Sequence, residues 1–254
     1  MWELYEGILR DKTKDAMNEI KRIFVTGDTH FSHDIGKVLK WDEGKQGDLL
    51  IVLGDFGLLW HGDPNNDEEK HWRAWYDDRP YEVAFIDGNH ENHERIEALP
   101  EEGWCGGLVG RYSRNIVHLK RGQIYNICGK KILTIGGALS VDKVFRREHL
   151  SWWSGELLSK EEENYVLTKI EENPTVDFVL THTIPNSVRE YFKKENVTPA
   201  NFELKAYDPV SNFLDEVYQK LNFSGWYAGH FHIEHHFSTD NRFHVLYNRV
   251  ERLI

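Results

Sequence analysis

The stretch Leu49-Leu50-Ile51-Val52-Leu53-Gly54-Asp55 decides the fold. Its apolar run reads as a buried strand, and it breaks off at a glycine followed by a carboxylate. The same order recurs along the chain. Ile23-Phe24-Val25 leads into Asp28-Thr29-His30, Val83 to Ile86 into Gly88-Asn89-His90-Glu91, and Val176 to Leu180 into Thr181-His182. A fifth motif, Gly229-His230-Phe231-His232, follows the weaker run Trp226-Tyr227-Ala228. In layered α/β folds, sites form outside the carboxyl ends of strands, so these five segments are expected to converge on one cleft. Glycine stands directly before Asp55, Asn89 and His230, where a small residue permits a tight strand-to-loop turn.

Between the strands the pattern changes period. Ile35 to Trp41, the Trp72, Trp75, Tyr76 stripe and Glu94 to Leu99 read as helices, and the alternation favours a largely parallel or mixed sheet with helices on its faces. Ser159 with Glu162 predicts a capping box opening a helix that runs through Ile170 and stops at Asn173-Pro174. Asp208 and Pro209 open another, with Val210, Phe213, Leu214, Val217, Tyr218 and Leu221 on one face. A short helix is expected before Lys21, and a last strand over Phe243 to Asn248. Ile116 to Leu119, Ile124 to Ile127 and Ile132 to Ile135 read as a β-meander. Residues 141–155 fit neither period and read as a surface insertion.

Length and charge narrow the class. The 254 residues suit one domain with a sizeable core, and no Gly/Ser/Pro-rich linker divides them. Asp plus Glu number 42 against 31 Lys plus Arg, a net charge of −11, which argues against an extended nucleic-acid-binding face. It is compatible with an anionic substrate, because divalent ions reverse the local potential in a cleft. Cys105 and Cys128 have neither metal-ligand spacing nor a disulfide framework, so a reducing cytoplasm is the expected home. Met1-Trp2-Glu3-Leu4-Tyr5-Glu6 lacks the start of a secretion signal, and no run reaches the length that spans a bilayer.

The motifs offer carboxylate, amide and imidazole donors. Asp with neutral His suits Mn²⁺, Fe or Zn²⁺, whereas Ca²⁺ and Mg²⁺ draw on more oxygen and less imidazole. One carboxylate bridging two ions about 3.5–4 Å apart lets a water between them ionise near neutral pH. Two divalent ions are therefore expected, Mn²⁺ first and Fe or Zn²⁺ as alternatives.

The set Asp28-x-His30, Gly54-Asp55, Gly88-Asn89-His90-Glu91, His182 and Gly229-His230-x-His232 resembles the calcineurin-like metallophosphoesterase superfamily, from about Ile23 to about His232. The resemblance implies a four-layer α/β/β/α sandwich with central mixed β-sheets, spanning residues 1–254 as a single domain. It implies a first metal on Asp28, His30 and His232, a second on Asn89, His182 and His230, and Asp55 as the bridge. His90 would sit near the leaving-group oxygen, as general acid or phosphate ligand. The implied reaction is hydrolysis of a phosphate ester by in-line attack of a metal-bridging hydroxide, on a phosphorylated small molecule or nucleotide. A phosphodiester is preferred and a phosphomonoester is the alternative. The protein Ser/Thr phosphatase branch is disfavoured: it places Asp and Arg where this chain has Leu58 and Leu59, and Gly where Phe31-Ser32-His33 follows His30. A catalytically silent scaffold, the reading from another class, predicts eroded ligands, and none is eroded. Ile135 to Asp142 with Trp152-Trp153 is similar to small bacterial and bacteriophage-borne members.

Three residues are candidates for touching substrate. His33 lies three residues beyond His30 on the same loop, and Arg111 and Arg146 could each clamp phosphate oxygens by bidentate bonds. For the histidines outside the motifs, such as His93 and His118, hydrogen-bonded structural roles are the default.

Overall fold

The computed structural model describes residues 20–199 and 208–254, so the helix expected before Lys21 lies outside the described residues. Along the chain run strands β1 (Arg22–Thr26), β2 (Asp48–Leu53), β3 (Glu82–Ile86), β4 (Glu101–Trp104), β5 (Gly107–Arg111), β6 (Ile116–Leu119) and β7 (Ile124–Ile127). They continue with β8 (Lys130–Ile135), β9 (Phe178–Thr181), β10 (Gly225–Ala228), β11 (His235–His236), β12 (Phe243–Val245) and β13 (Glu251–Arg252). The helices are α1 (Gly36–Leu39), α2 (Asp67–Asp77), α3 (His93–Glu97), α4 (Lys160–Glu172), α5 (Asn186–Lys194) and α6 (Pro209–Lys220).

The strands form two mixed sheets, ordered β13-β1-β2-β3-β6-β5-β4 and β11-β12-β10-β9-β8-β7. Each has four parallel strands at its centre, β1-β2-β3-β6 and β8-β9-β10-β12, with antiparallel strands outside them. The two-residue period of a strand sorts the core. In β2, Leu49, Ile51 and Leu53 face the second sheet, joining Ile132 and Leu180 in one cluster. Leu50 and Val52 pack on the other face with Val38 of α1, Tyr76 of α2 and Ile96 of α3. The second sheet has its own outer cluster, where Leu133, Val179, Trp226 and Phe243 meet Val166, Phe192 and Leu214 of α4, α5 and α6. Helices, sheet, sheet, helices is the expected four-layer sandwich.

Capping follows the sequence closely. Ser159 and Glu162 exchange side-chain and backbone bonds at the start of α4, and the Asp208 carboxylate accepts from Val210 N–H at the start of α6. The expected meander is corrected. β6 joins the first sheet between β3 and β5, while β7 and β8 form a hairpin in the second, so Lys120-Arg121-Gly122 crosses between sheets instead of turning within one. Helix α5 and the β4–β5 hairpin were not anticipated. That hairpin turns at Cys105-Gly106, with φ of 47° and 86°, and β7–β8 turns at Cys128-Gly129, with φ of 53° and 72°. Two consecutive left-handed residues are the mark of the tight hairpin turn whose twist matches the strands, so both cysteines serve backbone geometry. Residues 141–155 contain the 3₁₀ turn Lys143–Phe145 and open a second, Ser154–Glu156, with Phe145 90% exposed and Trp153 2% exposed, so the segment is anchored as well as displayed. No helix of the described residues is long and apolar enough to cross a membrane.

Candidate metal centre

All five motifs open where a strand ends: β1 at Thr26, β2 at Leu53, β3 at Ile86, β9 at Thr181 and β10 at Ala228. β1, β2 and β3 are neighbours in one sheet, and β9 and β10 in the other. Hydrogen bonds join the two rims. His182 Nδ1–H donates to the Leu53 carbonyl at 2.8 Å, and His230 N–H donates to both carboxylate oxygens of Asp28, at 2.8 and 3.1 Å. A carbonyl can only accept, so His182 carries a proton on Nδ1 and turns Nε2 toward the cleft. His30 is fixed the same way, with Nδ1–H on Asp34 Oδ2 at 2.8 Å and Nε2 toward Asp55. Such partners set the ring orientation and tautomer that a metal ligand needs.

Asp55 lies at the centre and is 1% exposed. Its Oδ2 is 3.1 Å from His30 Nε2 and its Oδ1 is 3.3 Å from His182 Nε2, and Oδ1 also accepts from His90 N–H at 2.8 Å. Asp28, His30, Asp55 and His232 each offer a ligand atom within 4.8 Å of the others. On the opposite side of Asp55, Asn89 Oδ1 is 3.2 Å from His182 Nε2, and the His182 and His230 rings are 4.9 Å apart. The five motifs thus bring four donor atoms within 4.8 Å of one another and set Asn89, His182 and His230 beside them. The donor set, imidazole with carboxylate and amide oxygen, fits transition-metal ions.

Charge accounts for the protonation of these side chains. Burial works against a charged His182, but the Asp55 carboxylate beside it raises its pKa to about 10. His30 rises to about 9 against the same burial penalty, through Asp55, Asp28 and Asp34. Burial opposes the Asp55 charge too, yet the surrounding imidazoles hold its carboxyl well below the usual range. Protons on these rings thus balance the carboxylates. Glu91 is pushed up to about 8 by burial and by the Asp55 charge. Its two oxygens accept from Gly57 N–H and Gly88 N–H, tying the second motif to the third.

The backbone is bent to the task. Asp28, His30, Asp55, His230 and His232 all have positive φ, between 38° and 71°. Each such non-glycine residue costs on the order of 1 kcal/mol or more, and the cost is tolerated only where surrounding structure enforces it. Of the three glycines before Asp55, Asn89 and His230, only Gly54 has a left-handed φ, at 82°. Gly88 and Gly229 supply room instead: a Cβ would lie 2.2 Å from Asp55 Oδ1 at the first and 2.6 Å from Asp28 Oδ2 at the second. Gly88→Ala should therefore displace Asp55 and destabilise the fold by about 1–3 kcal/mol. Chemical denaturation alongside elemental analysis checks this, and unaltered stability with full metal content would contradict it.

His90 lies beside this cluster, its ring 5.2 Å from that of His30 and stacked at 5.7 Å on Trp60. The two Nη atoms of Arg146 lie 3.2 and 3.4 Å from its ring nitrogens, one of which accepts from the guanidinium, and Asp142 anchors that guanidinium at 2.7 Å. Burial lowers the His90 pKa, and the positive charge of Arg146 lowers it further. Of the three candidate substrate contacts, Arg146 is at the site. His33 is at its rim, on a cleft of about 370 Å³ that His30, Phe31, Trp60, His61 and His90 also line. Arg111 is not there, which corrects the expectation: it pairs with Glu102 and donates to the Ser113 and Arg114 carbonyls. A larger cavity of about 440 Å³ opens elsewhere, beside Asp87, His118 and Arg121. There Asp87 is already paired with both His118 and Arg121.

Several contributors escaped the sequence reading. Asp34 orients His30 from four residues away, Trp60 stacks on His90, Tyr247 stacks on His232 at 4.8 Å, and Ser140 accepts from Asn89 Nδ2 at 3.2 Å. Only Asp34 carried a usable signal, a carboxylate one loop turn after a motif histidine. The histidines given structural roles include His93, which donates to the Gly88 carbonyl, and His118 on Asp87.

A sandwich with this site at one rim defines a class. The sequence matches the calcineurin-like phosphoesterase family over residues 21–234, and the chain belongs to that family. It is 26% identical to a protein of Schizosaccharomyces pombe (strain 972 / ATCC 24843) named lariat debranching enzyme, over 78% of this chain and 47% of that one. The chain thus spans about half the length of that curated relative. Among solved structures, it is similar to a phosphopantetheinyl hydrolase of Mycobacterium tuberculosis, with a TM-score of 0.46 and 16% identity, covering 92% of this chain and 95% of the other.

Proposed function

We propose that the protein is a binuclear metal-dependent phosphodiesterase. The observation that carries this reading is the position of Asp55, one carboxylate with His30 Nε2 3.1 Å from one oxygen and His182 Nε2 3.3 Å from the other. Asp28, His30 and His232 would hold one ion and Asn89, His182 and His230 the second, with Asp55 shared. Mn²⁺ is the first choice and Fe or Zn²⁺ the alternatives. Two such ions supply Lewis acidity toward phosphate oxygens and a water ionised near neutral pH.

The chain's own residues do the rest. Asp34 and Leu53 O hold His30 and His182 in the tautomers that face inward. His90 and Arg146, in contact with each other, present an imidazole and a guanidinium to the group that departs and to the remaining phosphate oxygen. Phe31, Trp60 and His61 give the adjoining cleft an aromatic wall suited to a base or sugar. That extra room favours a diester, whose phosphate carries a second organic group, and the likeness to a lariat debranching enzyme points the same way.

The test uses protein stripped of metal, reloaded with Mn²⁺ and assayed on bis-p-nitrophenyl phosphate beside p-nitrophenyl phosphate. Faster cleavage of the diester is expected. Preference for the monoester would replace the diester reading, and full metal content without turnover on either substrate would favour the scaffold reading.

A further inference from the structure

A second group of ligand-type side chains lies where the edges of the two sheets approach. β11 and β12 pair antiparallel with His236 opposite His244, and the two rings stand edge to face at 4.5 Å. β13, the edge strand of the other sheet, brings Glu251 Oε2 to 3.0 Å from His236 Nε2. His236, His244 and Glu251 each offer a donor atom, all within 4.8 Å of one another. None of them belongs to the seven donors at the strand ends.

Two further observations point to a missing partner. His244 Nδ1 and Glu234 Oε1 are both buried, and neither has a hydrogen-bond partner among the described residues. Glu234 Oε1 is 4.0 Å from His236 Nε2, while its other oxygen accepts from Tyr247 N–H and Asn248 N–H. A buried polar atom without a partner costs about 1–3 kcal/mol; His244 Nδ1 is such an atom, and Glu234 Oε1 is held by an ion pair with Arg249 at 3.4 Å. The positive charge now present is the guanidinium of Arg249. It donates to His236 Nε2 at 3.1 Å and to Glu251 Oε2 at 2.9 Å, and it lies 3.4 Å from Glu234 Oε1. Its side chain is 56% exposed, so it can withdraw into solvent.

We propose that His236, His244 and Glu251 form a structural cation site for one Zn²⁺-class ion, with Glu234 as the adjoining carboxylate and Arg249 as the group the ion displaces. Two imidazoles and a carboxylate are a common zinc donor set, and water or Glu234 completes four-coordination. The ion ties β11 and β12 of one sheet to β13 of the other, fastening the sandwich along an edge where backbone hydrogen bonds do not cross.

The test counts ions and needs no substrate, so its outcome is independent of the phosphoesterase reading. The full chain, His236→Ala and Glu251→Gln are stripped, dialysed against Zn²⁺ alone and compared by elemental analysis. Each variant is expected to bind one equivalent fewer than the parent, to gain less thermal stability from Zn²⁺, and to lose part of the visible absorption of four-coordinate Co²⁺. Arg249→Ala, which removes the competing charge, should bind the ion more tightly, on the order of tenfold. Both substituted positions are partly exposed, which keeps the variants folded, and equal zinc counts in parent and variants would overturn the proposal.

Discussion

Asp55→Asn should abolish turnover of the Mn²⁺-loaded protein and remove at least one equivalent of bound metal. The carboxylate is reached by His30 on one oxygen and by His182 and His90 N–H on the other, so it is the element common to both halves of the site. An amide keeps the shape but loses the charge that two cations require, and its NH₂ would confront a histidine nitrogen. The loss should be at least the roughly 10²–10⁴-fold that follows removal of a positioned acid or base. Elemental analysis and the diester assay on the same preparation check both halves of the expectation. Retention of two ions at the parental rate would sink the binuclear reading.

His90→Ala should cut turnover by about 10²–10⁴-fold while leaving the metal content intact. The ring is held by Trp60 and Arg146, and its backbone N–H, which supports Asp55, survives the substitution. Metal loss in this variant would show that the ring had been given the wrong role. The pH profile separates its two candidate tasks. Burial and Arg146 depress its pKa below the ordinary histidine value, so the ring is neutral at pH 7 and gains its proton only in more acid solution. If it delivers a proton to the departing oxygen, the ratio of parental to variant rate rises as pH falls. If it binds phosphate as a neutral donor beside Arg146, that ratio stays level through neutral and mildly alkaline pH.

The architecture was legible because β2 and its neighbours announce themselves twice, once as apolar runs and again by the polar motif that ends each run. Where the signal was only local, the reading slipped. β6, β7 and β8 look alike, and nothing in Lys120-Arg121-Gly122 says that the chain is changing sheets there. The crossing is enforced by Arg121, whose guanidinium meets Asp87 of the first sheet's loop and Glu162 of α4. Arg111 and Arg146 were equivalent in sequence, since a guanidinium acquires its role from the partner it meets: Glu102 for one, His90 and Asp142 for the other. Trp60 and Tyr247 were invisible for a similar reason, their contacts with motif histidines being made entirely through the fold.

The left-handed backbone at Asp28, His30, Asp55, His230 and His232 governs how this centre can be dissected. An alanine scan would change two things at each position, removing a donor and placing a residue that shuns that conformation, while glycine would remove the donor and relax the chain. Asparagine is among the few residue types that settle readily at such dihedral angles. An asparagine series therefore isolates donor chemistry from main-chain conformation, and pairing each alanine variant with its glycine counterpart, both of which lack the donor, measures the backbone contribution by itself.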